Sequence, residues 1–129
     1  MRSIKTIVIK VLPHECQRYE TVGDYYFTPD GVLCINVSEM KDNKFELLVA
    51  IHELIEVLQT ENDGVAEPLI EAFDIKFEEN RQKGNVDEPG DDPRAPYKRQ
   101  HCVATGVERI LAAALGVDWK EYEKACNEL

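Results

Sequence analysis

In the stretch LLVAIHELIEVL, Leu47 to Leu58, only three side chains are polar: His52, Glu53 and Glu56. A carboxylate withdrawn from water costs several kcal/mol unless it is paired, protonated or bound to a cation. Each of the three therefore needs a partner, and their spacing favours a cation. On a helix His52 and Glu56 stand four apart and emerge on one face, where an imidazole nitrogen and a carboxylate oxygen can converge on one ion. Glu53 lies one step round, placed to act as general base on a zinc-bound water rather than to bind the metal. A carboxylate in place of a second imidazole suits zinc geometrically but leaves less positive charge to acidify that water. The competing reading is an amphipathic helix whose His and Glu meet Lys or Arg at a polar edge.

A third ligand has few sources. His101 falls in a later helical segment with Glu108 seven residues on, two turns along the same face. There Val103, Val107, Ile110, Leu111 and Ala114 mark a core side, bordered by His101, Ala104 and Glu108, and Gly106 leaves room for a neighbouring element. His101 is the preferred third ligand, with Glu108 as an outer acceptor or further ligand. His14, close to Cys16, is a candidate for a minor site. Asp74 is the other candidate. It belongs to a stripe, Glu67, Glu71, Asp74 and Glu78, opposite Leu69, Ile70, Phe73 and Phe77; such a stripe reads as a solvated face, from which Asp74 could reach inward. Cys102 follows His101 directly, but adjacent helical residues point about 100° apart, so they form no catalytic dyad.

These residues need a frame. Ser3 to Leu12 is rich in β-branched residues and reads as a strand closed by Pro13. Residues 24 to 38 read as a hairpin turning at Thr28-Pro29-Asp30-Gly31, with Leu33, Ile35 and Val37 on one apolar side of the return strand. The motif helix is predicted from about Lys44 to Thr60, capped by Asp42 or Asn43 and ended by Asn62-Asp63-Gly64. A second helix, Ala66 to about Gln82, is expected to return alongside it. Lys83 to Pro96 reads as a loop, either an exposed connector or a lid. Helices from Pro96 to Leu115 and from Asp118 to Asn127 follow. Strands first and helices after make a single α+β domain over residues 1–129.

The hairpin strand followed by a buried helix bearing HELIE resembles the zincin metallopeptidases over roughly residues 24 to 60. The chain departs from the family pattern at Glu56, where zincins carry histidine. The resemblance implies a small N-terminal sheet packed on the motif helix, a zinc ion and a peptidase-like hydrolase acting on a peptide or small molecule. The chain also looks like small uncharacterised proteins of phages and bacteria, a resemblance that supplies no activity. A rival resemblance joins Glu53xxGlu56 to Glu71xxAsp74, similar to the paired motif of MazG-like nucleoside triphosphate pyrophosphohydrolases, and implies Mg2+ on four carboxylates. The third class is a non-enzymatic interaction protein.

Composition narrows the partners. Fifteen Lys and Arg against 25 Asp and Glu give a net charge of −10. An acidic surface repels phosphate, so neither nucleic acid nor an anionic membrane is an expected partner. Lys98-Arg99 is too short to reverse that. No apolar run approaches the ~20 residues that cross a bilayer. Cys16, Cys34, Cys102 and Cys126 lack zinc-knuckle spacing and no signal peptide is evident, so reduced thiols in a cytoplasmic protein are expected.

Overall fold

A computed structural model describes all 129 residues and has the α+β order expected, a three-stranded sheet followed by four helices. The sheet comprises β1 (Ile7–Leu12), β2 (Gly23–Phe27) and β3 (Leu33–Ser38), in the order β1-β3-β2. β2 and β3 form the antiparallel hairpin, Gly23 opposite Val37 and Phe27 opposite Leu33. Gly31, at φ 89°, makes the turn that a side chain would strain. β1 lies parallel to β3 on the other side, Ile7 beside Leu33 and Leu12 beside Ser38. As the central strand, β3 is buried along its whole length, not on one side alone.

Helix α1 (Asn43–Asp63) is longer at both ends than its apolar run. The Asp42 side chain accepts a hydrogen bond from the Lys44 amide, and Gly64 at φ 72° closes the last turn. α1 lies on β2 and β3 and against α3 (Lys98–Ala114). The core centres on Leu33, Ile35, Val37, Leu48 and Val57, all fully buried. Helix α4 (Trp119–Asn127), capped by Asp118, brings Tyr122 onto Phe45 and Trp119 at ring distances of 5.4 and 5.3 Å.

Two expectations about the helices are corrected. Helix α2 (Glu67–Glu79) does not run against α1; it meets a short 3-10 turn, Pro89–Asp91, inside the long loop. On α3 the buried face is the polar one, with Gln100, His101, Ala104, Glu108 and Ala112, whereas Val103 and Ile110 are exposed. Polar groups on α1 and α3 bury one another across the helix pair, and that mutual pairing overrides apolar periodicity. Gly106 faces open space and admits no neighbour. The four cysteines form no disulfide, and no helix is long and apolar enough to cross a membrane.

Candidate metal centre

The polar face of α1 meets the polar face of α3 at three atoms. His52 Nε2, Glu56 Oε2 and His101 Nδ1 form a nearly equilateral triangle with sides of 3.1, 3.1 and 3.0 Å. All three residues are buried. Three donors each ~2.1 Å from a tetrahedral zinc ion stand about 3.4 Å apart, so a few tenths of an ångström of expansion admit the ion. The donor set, two imidazoles and a carboxylate, is one that zinc accepts.

The outer nitrogens fix which way the rings point. His52 Nδ1 lies 2.7 Å from Glu108 Oε1, and the Tyr122 hydroxyl donates to the other oxygen of Glu108. His101 Nε2 lies 3.3 Å from Glu88 Oε2 and 3.5 Å from Asp91 Oδ1. Carboxylates accept on both sides of each ring, so a neutral ring keeps its hydrogen on the outer nitrogen only where a cation takes the inner lone pair. The inner nitrogens then both present lone pairs, 3.1 Å apart. Two facing lone pairs repel unless a proton or a metal ion lies between them. Accordingly, burial alone would lower both imidazole pKa values, yet their carboxylate partners raise that of His52 well above the usual range and that of His101 to about 10. In the protonated rings the inner N–H groups donate to Glu56, which they hold below the ordinary carboxylate value although burial pushes it up.

Glu53 does not join the triangle. Its carboxylate lines an adjoining cleft of about 610 Å³, together with His52, Glu56 and His101. Burial, and then the charges of Glu56, Asp24 and Asp74, raise its pKa well above that of a free glutamate. Gly23 on β2 makes room for it. A Cβ there would lie 2.7 Å from both Glu53 Oε1 and Val49 Cγ1.

The remaining candidates sit apart. Asp74 lines the same cleft but accepts hydrogen bonds from the Tyr97 hydroxyl and, at 3.3 Å, from Tyr19. The stripe Glu67, Glu71, Asp74 and Glu78 therefore faces the cleft rather than open solvent. Glu71 pairs with Arg18 at 3.3 Å, and neither group of converging ligand atoms includes Glu53, Glu71 or Asp74. His14 bonds Ser38 and Glu20, each at 2.8 Å, and Cys16 is exposed. Of the basic pair, Arg99 bonds Asp63 and Lys98 reaches the Asp91 carbonyl. Exposed Cys102 takes no part.

The spacing Glu88xxAsp91 repeats that of Glu53xxGlu56 but, lying in a loop, reads from sequence as chance, and Gly90, Tyr97 and Tyr19 are not singled out at all. All five lie far from the motif along the chain, and nothing in the loop's sequence ties them to His101. It paired Glu108 with His101, the neighbour on its own helix; the structure gives Glu108 to His52 across the helix pair. No protein family, curated protein or solved structure matches this chain.

Proposed function

We propose that the chain binds one zinc ion on His52, Glu56 and His101 and is a zincin-like hydrolase with Glu53 as its base. The single observation that carries this reading is the triangle of inward-facing donors, each imidazole backed by an outer carboxylate. Such backing fixes the tautomer and raises the basicity of a ligating histidine. A bound zinc ion supplies a Lewis acid that makes water a nucleophile near neutral pH.

The chain's own residues do the rest. Glu53, in the cleft beside the three donors, receives the proton from the attacking water and returns it to the leaving group. A raised pKa suits it to both halves of that transfer. β2 is an edge strand whose Gly23, Asp24 and Tyr25 line the cleft. The Gly23 and Tyr25 carbonyls on that edge accept from Thr21 and Arg18, contacts that an extended peptide adding as a further strand would replace. Peptides are therefore the substrate class favoured by this reading.

Metal analysis of purified protein tests it. About one zinc per chain is expected, lost on His52→Ala or His101→Ala. Glu53→Gln should retain the zinc and lose hydrolysis of a quenched-fluorescent peptide library. Protein that takes up no zinc, with stability unchanged by chelator, would sink the proposal. Magnesium-dependent release of diphosphate from nucleoside triphosphates, abolished by Glu71→Ala, would favour the MazG-like reading instead.

A further inference from the structure

The loop between α2 and α3 reaches the candidate metal centre through Glu88 and the 3-10 turn Pro89–Asp91 that follows it. Gly90 is buried there, and a Cβ built on it would overlap the His101 ring at Cγ, Nδ1 and Cδ2. Its φ is not positive, so backbone conformation does not call for glycine at this position. Space does: the bare Cα of Gly90 lies against the ring that carries a ligand atom. On either side Glu88 and Asp91 present oxygens to His101 Nε2, at 3.3 and 3.5 Å.

The turn is held at both ends. The Arg81 guanidinium is paired with both carboxylate oxygens of Glu78 on α2, at 2.7 and 2.8 Å. The same guanidinium donates to the carbonyls of Asn85 and Asp87, at 2.6 and 2.8 Å. At the other end Lys98 Nζ, in the first turn of α3, reaches the Asp91 carbonyl at 3.0 Å. The segment from Arg81 to Asp91 is thus strapped from α2 to α3 across His101.

We propose that residues 87–91 form a clamp that positions His101 as a metal ligand. Gly90 sets the ring plane by contact, and Glu88, supported by Asp91, holds the hydrogen on Nε2 so that Nδ1 faces His52 and Glu56. Glu88 and Asp91 act through His101 and are positioning residues. This inference rests on the zinc site proposed above.

Zinc titration and the visible spectrum of the cobalt(II)-substituted protein test the clamp. Outer partners of a ligating histidine typically change metal affinity by 10- to 100-fold. Gly90→Ala should weaken zinc binding by about that factor and shift the cobalt bands, because the added methyl turns the ring. Glu88 is exposed, so Glu88→Ala leaves the fold intact; it should weaken zinc at least tenfold, with Glu88→Gln restoring most of the loss through its carbonyl oxygen. Wild-type affinity and an unchanged cobalt spectrum in both Gly90→Ala and Glu88→Ala would overturn the clamp while leaving the zinc site standing. Two ions per chain, one of them lost with Glu88→Ala, would also overturn it, since Glu88, Asp91 and His101 would then hold metal themselves. A wild-type chain that binds no zinc removes the site and the clamp together.

Discussion

An imidazole nitrogen aimed at a second imidazole nitrogen 3.1 Å away, as His52 Nε2 is aimed at His101 Nδ1, is held there by its surroundings. Glu108 and Glu88 supply that constraint from outside, and Glu56 completes the triangle within. The neighbouring carboxylates of the cleft are governed by the same desolvation. Asp74 shows it in a form that can be titrated. Burial raises its pKa from 3.8 to about 7, against the opposing hydrogen bond from Tyr97 and with the charge of Glu56 adding to the rise. The folded state therefore holds a proton on Asp74 between about pH 4 and 7 where the unfolded chain has released it, and stability from this residue falls as pH rises through that window. Asp74→Asn removes the penalty. Relative to wild type, the variant should gain stability from pH 4.5 to pH 8, by at most about 3 kcal/mol at about 1.4 kcal/mol per pKa unit. Urea unfolding of chelator-treated protein at the two pH values measures the difference. A gap between variant and wild type that does not widen with pH would show that Asp74 is ionised throughout.

At the scale of elements, α1 is apolar in nearly every direction, so its periodicity cannot say which side meets the sheet. The structure separates two adjacent leucines: Leu48 is fully buried, while Leu47 is 46% exposed. Leu48→Ala should cost about 2–5 kcal/mol by emptying a filled site in the core, and Leu47→Ala less than about 1 kcal/mol. Equal losses on denaturant unfolding would mean that Leu47 is also covered. Much of the frame was legible in advance. The hairpin announced itself by its turn residues and α1 by its cap at Asp42 and stop at Gly64, while His101, picked out on its helix face, does meet His52 and Glu56. The orientation of α3 was not legible, for a physical reason. Apolar periodicity identifies a buried face only when burial is apolar. Here His101 and Glu108 are buried because α1 offers His52 and Glu56 as partners, and Val103 and Ile110 are left outside. The loop 83–96 carried no signal for its contact with His101, because one glycine against a ring leaves no pattern.

For the molecule as a whole, the centre joins parts of the chain that are distant in sequence. His101 meets His52 across 49 positions and Glu56 across 45, and Tyr122 on α4 closes the network through Glu108. A cation at the triangle would tie α1 to α3 directly, and to α4 and the α2–α3 loop through Glu108 and Glu88. The net charge of −10 favours any cation over an anion at that junction. An unfolded chain holds these ligands far apart and binds zinc weakly, so binding energy becomes folding energy. With free zinc at a hundred times its dissociation constant the added stability is about 2.7 kcal/mol. For a domain of this size that corresponds to a rise in melting temperature on the order of 10 °C. Differential scanning fluorimetry should record that rise on adding zinc, its reversal by chelator, and its absence in His52→Ala and His101→Ala. Because the shift reads the folded state alone, it holds whether or not a substrate has been found. If zinc leaves the wild-type melting temperature where it was, protons and not metal join the two imidazoles, and the cluster is a buried hydrogen-bond network linking α1 to α3.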